Sequence, residues 1–382
     1  MAQNSSKWIE MRKICPEAGK DIVPLSVADM ELKNPPEITE GLKKFLDDRI
    51  LGYTLAGDDY YEETIRWMER RHQWKIEKDW IVLLPGVVTA LNVAVRAFVR
   101  PKEKILILTP VYHPFQMTIE RCGCQTVSSK LINDHGYYSI DFEDLDRKLS
   151  DPEVKMMIFC SPHNPIGRVW TVEELKQVAC CCEKHDVLLI SDEIHSDLIL
   201  PGYHHTMMAS LNEPICNKMI TCTSVSKTFN LAGIQCSNII IPDEKMRKKY
   251  LETRDTLINN KLNIFAYEAA TLAYRHCEGW LDELLQLLDI NRKVAETFFA
   301  QHFPKAVVSP LQGTYLLWVD MNPYFPDIRT QEEFMTTKAF FFVDEGSMFG
   351  EEGNGFERIN LACPTSVLSE ALNRLAEAYR TQ

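Results

Sequence analysis

The hydrophobic pattern between about residues 80 and 245 alternates between short apolar runs and amphipathic helical segments. Each run has four to six residues, is rich in Ile, Leu and Val, and lacks regular polar–apolar alternation, which is typical of a strand buried on both faces. The predicted strands are residues 104–109, 154–159, 187–190, 219–222 and 237–241. Strands that alternate with helices indicate an α/β layer with a mostly parallel sheet.

One of the intervening helices has a clear start signal. Thr171 and Glu174 have the spacing of a capping box, in which each side chain bonds the backbone N–H of the other residue. The apolar positions that follow recur at helical spacing and form one face: Leu175, Val178, Ala179 and Cys182. Cys182 is therefore expected in the core, although it belongs to a run of three cysteines.

The last third of the chain has a different pattern. Residues 281–298 predict a long amphipathic helix, residues 314–320 a strand, and residues 368–379 a closing helix. These elements indicate a second, smaller α+β domain. The first forty residues have no long periodic run, so we expect them to form an arm that packs on this second domain.

The length and composition of the chain agree with two globular domains. At about 150 residues per domain, the 382 residues suffice for two units with sizeable cores. The hydrophobic fraction of 45% and the charged fraction of 25% are typical of a globular protein and disfavour disorder or a coiled coil. We expect a large domain over residues 41–270 and a small domain made of residues 1–40 and 271–382.

Charge and cysteine content narrow the classes of function. The net charge of −12 disfavours nucleic acid as a partner, because the chain would repel a phosphate backbone. The 12 cysteines include no pair of C-x-x-C motifs, so we expect no metal site. The polar start, and the lack of an apolar run near the ~20 residues that span a bilayer, predict a cytoplasmic protein that does not bind membranes.

Four motifs lie at predicted strand ends, where α/β sheets bind their ligands. Lys227 follows one strand in a segment with Ser224 and Ser226. Such a lysine can form a Schiff base while the serines bind a phosphate, but a surface lysine in a polar loop has the same pattern. Asp192 follows the run 187–190, where it could hold a protonated ring nitrogen or cap a helix.

The other two motifs are weaker on their own. Asn164 and Pro165 follow the run 154–159, and Asn-Pro is a common turn signal. Gly86 precedes a helical segment, and a glycine loop at a helix start offers free backbone N–H groups to an anion. Many α/β loops have this pattern.

Taken together and in this order, the four motifs resemble those of fold-type I pyridoxal-phosphate enzymes, the class I/II aminotransferase superfamily, over nearly the whole chain. Arg358, in the segment 356–364, matches the superfamily arginine that binds the substrate carboxylate. Its planar guanidinium can hold a carboxylate through two hydrogen bonds. The resemblance implies the type I fold, with a mostly parallel mixed sheet flanked by helices in the large domain and a smaller α+β domain. It also implies pyridoxal 5'-phosphate as the cofactor.

Further segments resemble the MalY/PatB group, whose members are cystathionine β-lyases, also called cysteine-S-conjugate β-lyases. These segments are residues 27–30, 52–54, 110–115, 192–198 and 226–233. The resemblance implies α,β-elimination of L-cystathionine or a related cysteine S-conjugate to a thiol, pyruvate and ammonia.

The resemblance also implies a role for each site residue. Lys227 would carry the cofactor and act as the base, Asp192 would pair with the ring nitrogen, and Tyr112 would stack on the ring. The other predicted cofactor-binding residues are Val87, Val88, Thr89, Asn164, Ile194, His195, Ser224, Ser226 and Tyr53. The predicted substrate-binding residues are Arg358, Asn164, Ala28 and Asp29. Tyr53 would reach the phosphate bound by a neighbouring subunit, which implies a homodimer with shared active sites.

Two positions depart from the aminotransferase pattern. His195 occupies the position of a usual tyrosine, and Gln235 that of a usual phosphate-binding arginine. Both changes favour a lyase, although an aminotransferase of L-amino acids remains the first alternative. A second alternative is a cofactor-binding regulator that acts through a protein partner.

Overall fold

The computed structural model describes residues 4–258 and 262–381. The helices of this part of the chain are α1 Ser6–Ile14, α2 Pro36–Asp48, α3 Asp58–His72, α4 Val87–Phe98, α5 Pro114–Arg121, α6 Phe142–Leu149, α7 Val172–Lys184, α8 Val225–Thr228, α9 Glu244–Leu257, α10 Ile264–His276, α11 Glu278–His302, α12 Ile328–Glu333 and α13 Thr365–Arg380. The strands are β1 Ile81–Leu84, β2 Lys104–Thr109, β3 Gln125–Lys130, β4 Ile132–Asp134, β5 Tyr137–Ser139, β6 Val154–Cys160, β7 Leu188–Asp192, β8 Ile220–Ser224, β9 Ser237–Ile240, β10 Val307–Val308, β11 Leu316–Asp320, β12 Asp344–Glu345 and β13 Phe356–Asn360.

A seven-stranded sheet forms the centre of the fold, in the order β1-β9-β8-β7-β6-β2-β3. The pairs from β3 to β8 are parallel, whereas β9 is antiparallel to both of its neighbours. The sheet is thus mixed and mostly parallel, as predicted. All side chains of β8 and β9 are buried, which explains why these segments show no polar–apolar alternation.

The predicted strands all form, with small shifts at their ends. The run 187–190 extends to Asp192 and the run 219–222 extends to Ser224. These extensions follow from ladder pairing, since Asp192 lies opposite Cys222 and Ser224 lies opposite Ser237. The sequence pattern missed β1 and β3. Strand β3 is at the sheet edge and is largely polar and partly exposed, so it has no apolar run.

The capping box at the start of α7 is confirmed. The Thr171 hydroxyl accepts a hydrogen bond from the Glu174 N–H at 3.2 Å, and the Glu174 carboxylate accepts one from the Thr171 N–H at 2.8 Å. The buried face of α7 consists of the four residues expected from the spacing: Leu175, Val178, Ala179 and Cys182. Cys182 is therefore a core residue, as predicted.

A second, antiparallel sheet has the order β10-β11-β13-β12 and lies with α11 and α13 in the C-terminal part. The predicted helices and strand of this part are present. The N-terminal segment contains α1, which the pattern did not predict. Trp8 and Met11 of this helix share a buried cluster with Phe342, so the N-terminal arm does contact the C-terminal part. The domain boundaries at residues 40 and 270 stay predictions.

The direction of the strands places six strand ends at one edge of the large sheet, and five of them carry predicted site residues. Because β9 is antiparallel to both β8 and β1, β1 runs in the same direction as the parallel strands. The carboxyl ends of β1, β2, β6, β7 and β8 therefore meet at this edge, together with that of the edge strand β3. The residues at or just beyond the first five of these ends are Gly86, Tyr112, Asn164, Asp192 and Ser224.

Two features of other protein classes are missing from the part of the chain that the structure describes. None of its helices is long and apolar enough to cross a membrane. Over the same residues, 4–258 and 262–381, no three His, Cys, Asp or Glu side chains are grouped to hold a metal ion.

Candidate active site

A cavity of about 240 Å³ lies at this edge of the sheet. All predicted cofactor-binding residues except Tyr53 line it, and so does Ala28. The cavity also includes residues that the sequence did not single out as ligands, and these are Pro85, Gly86, Cys160, Ala232, Gln235, Cys236 and Ser237. Most of them are neighbours of predicted residues in the chain.

Lys227 lies in the single-turn helix α8, directly after β8. Ser224 caps this helix by accepting a hydrogen bond from the Ser226 N–H at 3.0 Å. The Lys227 ammonium donates to the Ala28 carbonyl oxygen at 2.7 Å. Burial, and next the positive charge of Arg358, lower the pKa of Lys227 from 10.5 to about 8. An amine with this pKa is partly neutral near physiological pH, so it can act as a nucleophile or a base.

Asp192 is the last residue of β7 and is buried. Its Oδ1 accepts a hydrogen bond from the Ile194 N–H at 3.2 Å, so the capping role considered from the sequence is also present. Burial raises the pKa of Asp192 to about 7, because the carboxylate loses its hydration. A cation placed against this carboxylate would restore its charged form. A protonated ring nitrogen is such a cation.

The phosphate end of the cavity consists of backbone N–H groups and hydroxyls. Gly86 precedes α4 with a φ of 103°, and a Cβ at this position would point into open space. The first N–H groups of α4 have no partner within the helix and can bind an anion. Ser224 Oγ lies 2.8 Å from Ser226 Oγ and 2.6 Å from the Cys236 carbonyl oxygen. Gln235 also lines the cavity, and no arginine does so among the described residues.

Tyr112 and Ile194 contribute apolar surface to the cavity from two different strand ends. The Tyr112 N–H donates to the Asn164 carbonyl oxygen at 3.2 Å, which connects the loops after β2 and β6. Burial, followed by the charge of Asp192, raises the pKa of Tyr112. Burial and the nearby charges of Lys227 and Arg358 hold the pKa of His195 well below its usual range. His195 is therefore neutral at physiological pH and adds no positive charge to the site.

Arg358 lies on β13 and is only 4% exposed, so it is not a solvated surface arginine. Its Nη1 donates to Asn164 Oδ1 at 2.9 Å, so the two predicted substrate-binding side chains are in direct contact. Its Nε and Nη2 donate to Asp344 Oδ2. Asp344 was missed by the sequence analysis. Only its position opposite Arg358 in the β12–β13 ladder identifies it.

The remaining predicted residues lie in different surroundings. The Ala28 carbonyl oxygen accepts hydrogen bonds from Lys227 and, at 2.8 Å, from the Tyr315 hydroxyl. Asp29 Oδ1 lies 2.7 Å from Lys7 Nζ and does not line the cavity. Tyr53 is fully exposed and lies outside the cavity of its own chain. The substrate role of Asp29 and the cofactor role of Tyr53 stay predictions.

Comparison with known proteins decides the family. The sequence profile of the family "Aminotransferase class I and II" matches residues 20–375. The chain belongs to this family. It is 40% identical over 358 residues to cystathionine beta-lyase PatB of Bacillus subtilis, with 94% of this chain and 92% of PatB covered. It is 30% identical over 364 residues to protein MalY of Escherichia coli, again with 94% and 92% covered. These similarities place the chain in the MalY/PatB group, as the sequence motifs predicted.

A solved structure also matches the fold. The crystal structure of cystalysin from Treponema denticola, which contains a pyridoxal 5'-phosphate cofactor, superposes with a TM-score of 0.98. The two sequences are 45% identical, and the match covers 99% of this chain and 96% of cystalysin. The predicted type I fold is thereby confirmed.

The cavity of this family member fits pyridoxal phosphate on its own chemistry. It offers an amine at Lys227, a buried carboxylate at Asp192 and an anion site at the start of α4. Asn164 uses its Oδ1 to accept from Arg358, which leaves its NH2 group as the donor for a ring oxygen. The set of donors and acceptors matches the carbonyl carbon, ring nitrogen, ring oxygen and phosphate of the cofactor.

Proposed function

We propose that the protein is a pyridoxal-phosphate-dependent carbon–sulfur β-lyase. It cleaves L-cystathionine or a related cysteine S-conjugate and, with one water, yields a thiol, pyruvate and ammonia. The observation that carries this proposal is the placement of Lys227, Asp192 and Asn164 around one cavity, with Arg358 bonded to Asn164. The 40% identity to a cystathionine beta-lyase supports the same reaction type.

Arg358 binds the carboxylate of the substrate. A guanidinium holds a carboxylate through two parallel hydrogen bonds, which fixes the orientation of the attached Cα. Because Arg358 is buried and bonded to Asn164, its position is fixed before the substrate arrives. This fixed position lets the protein direct the Cα–H bond towards the catalytic amine.

Lys227 moves the proton. Its lowered pKa of about 8 makes the neutral amine available as a base for the Cα proton. When bound, pyridoxal phosphate supplies an electron sink for the charge left on Cα. Asp192 would hold the protonated ring nitrogen of the cofactor, and this pairing would keep its carboxylate charged. The thiolate leaves from Cβ after the Cα proton has been removed.

The phosphate is held without an arginine from the cavity wall. Val87, Val88 and Thr89 provide the N–H groups of the first turn of α4, and Ser224 and Ser226 provide hydroxyls. The helix dipole adds a partial positive charge at the same place. We propose these groups as the phosphate site.

The active form is proposed to be a homodimer with shared sites. Residues 50–55 expose a group of large apolar side chains, namely Ile50, Leu51, Tyr53 and Leu55. Such a group on a soluble chain marks an interaction surface. A second copy that covers this segment would bring Tyr53 to the phosphate site of its partner. This proposal explains why Tyr53 lies outside the cavity of its own chain.

A cytoplasmic location is also proposed. The twelve cysteines are all free, and ten of them are buried. Free cysteines at this number agree with a reducing compartment.

The proposed function is tested by supplying L-cystathionine to the protein loaded with pyridoxal phosphate. No keto acid is added. Continuous release of pyruvate and a thiol, many times the amount of enzyme, supports the β-lyase. Purified protein that acts only when a protein partner is present would favour the regulator instead.

A further inference from the structure

Three hydrogen-bond donors converge on one oxygen of Asp344. Its Oδ2 accepts from the Val27 N–H at 2.9 Å, from Arg358 Nε at 3.1 Å and from Arg358 Nη2. Asp344 is 8% exposed and Arg358 is 4% exposed, so this is a buried ion pair. The two residues lie opposite each other in the β12–β13 ladder.

The contacts of Arg358 leave a defined part of its guanidinium free. A guanidinium has five N–H donors. Asp344 takes the Nε donor and one donor of Nη2, and Asn164 takes one donor of Nη1. One N–H on each terminal nitrogen remains, and N–H groups on the two terminal nitrogens can bind the two oxygens of a carboxylate.

Asp344 also holds the turn that contacts the catalytic lysine. Val27 has a φ of 57°, which is an outlier for a β-branched residue. Asp344 binds its N–H, and Asn360 donates to its carbonyl oxygen at 2.7 Å. The next residue, Ala28, presents the carbonyl oxygen that accepts from Lys227.

We propose that Asp344 is a positioning residue, which orients Arg358 from the side and ties it to the Val27 turn so that the two free N–H groups meet the substrate carboxylate. This inference rests on the proposed function for the identity of the substrate. Asp344 has a second effect, because its negative charge partly offsets the positive charge of Arg358. Asp344 therefore fixes the position of Arg358 but weakens the attraction of Arg358 for the substrate carboxylate.

Two substitutions distinguish the effect of the hydrogen-bond acceptor of Asp344 from the effect of its negative charge. Asp344→Asn keeps an oxygen that can accept from Arg358 but removes the charge. Asp344→Ala removes both. Glu345→Gln is the matched control, because Glu345 is the next residue on β12 and faces the opposite side of the strand, opposite Glu357.

L-alanine is a suitable probe, because it has the carboxylate and the Cα proton but no leaving group on Cβ. Its Kd is measured by calorimetry on the cofactor-loaded protein, and the exchange of its Cα proton in D2O is measured by NMR. For Asp344→Ala we expect exchange to be slower by about tenfold or more, since misorientation has effects of this size. For Asp344→Asn we expect exchange within about threefold of wild type and a Kd lower by at least about threefold. The control should match wild type.

Several results would overturn this role for Asp344. Wild-type exchange in Asp344→Ala, equal slowing in both Asp344 variants, or equal slowing in Glu345→Gln would each do so. If Asp344→Ala fails to fold, a weaker Kd for L-alanine in Asp344→Asn overturns it instead. Wild-type protein that binds and exchanges L-alanine but releases no pyruvate from L-cystathionine contradicts the proposed function alone.

Discussion

Asn164 Oδ1 accepts a hydrogen bond from Arg358 Nη1 at 2.9 Å, and this bond joins the loop after β6 to β13 of the C-terminal sheet. One side of Asn164 therefore serves the arginine that binds the substrate, while its NH2 group remains for the cofactor. Two different groups of this one side chain thus serve substrate binding and cofactor binding. A disturbance at Arg358 should consequently affect substrate binding first and cofactor binding little.

Substitution of Arg358 tests this separation. Arg358→Ala should lower kcat/KM for L-cystathionine by about a hundredfold or more, because a buried two-hydrogen-bond contact with a carboxylate is lost. Arg358→Lys should recover only part of the loss, since an ammonium lacks the planar fork. Steady-state kinetics and cofactor absorbance are measured together. Arg292→Lys, a change in a surface ion-pair network, is the control and should leave both unchanged.

The pH dependence of cofactor attachment tests the state of Lys227. Attachment needs the neutral amine, so its rate on apoprotein should rise with pH and have a midpoint near the lowered pKa of about 8. Arg358 contributes to this lowering, so Arg358→Gln should move the midpoint to a higher pH. Stopped-flow absorbance between pH 6 and pH 10 gives the midpoints. A wild-type rate that still rises steeply at pH 10, without a plateau, would show that Lys227 is not desolvated.

The shared active site can be tested by mixing two inactive variants. Tyr53→Ala damages the phosphate site of the partner, and Lys227→Ala abolishes the chemistry of its own chain. A mixed dimer would contain one site with both residues intact. Mixing equal amounts under exchange conditions should restore about a quarter of wild-type activity, because about half of the dimers are mixed and each has one intact site. Mixtures that stay inactive although sedimentation shows mixed dimers would contradict the shared site.

Gln235 offers a test of the phosphate site by gain of charge. Gln235→Arg places a cation in the cavity wall, where the described residues include no arginine. We expect the cofactor to bind several-fold more tightly, since a charge-assisted hydrogen bond to phosphate is stronger than a neutral one. Gln235→Lys, which lacks the planar fork, should give a smaller gain. Equilibrium dialysis of the cofactor distinguishes the two variants.

The sequence was informative where a side chain that can react or bind a ligand comes shortly after an apolar strand. Lys227, Asp192 and Asn164 lie within a few residues of apolar runs, and strand ends of a parallel sheet meet at one edge. The sequence thus predicted most of the residues that line the cavity. The family resemblance then assigned a role to each residue.

The pattern was uninformative where position depends on contacts between distant segments. Asp344 belongs to a two-residue strand and is paired with Arg358 only through ladder register. Asp29 is next to Ala28 in the chain, but its carboxylate is directed to Lys7 of α1. Helix α1 has a weak amphipathic pattern, because Ile9 and Ile14 are exposed whereas Lys7 is buried. Periodicity describes one segment at a time, so such pairings do not appear in it.

The stoichiometry of pyruvate from L-cystathionine distinguishes β-elimination from transamination. Purified protein loaded with pyridoxal phosphate receives excess L-cystathionine without a keto acid, while a coupled assay follows pyruvate and absorbance follows the cofactor. Lys227→Ala is the inactive control, and Lys176→Ala, on the exposed side of α7, is the matched active control. We expect many pyruvate molecules per active site, with the cofactor spectrum retained. A single stoichiometric conversion of the cofactor to its pyridoxamine form, with no further pyruvate, would show an aminotransferase and contradict the lyase.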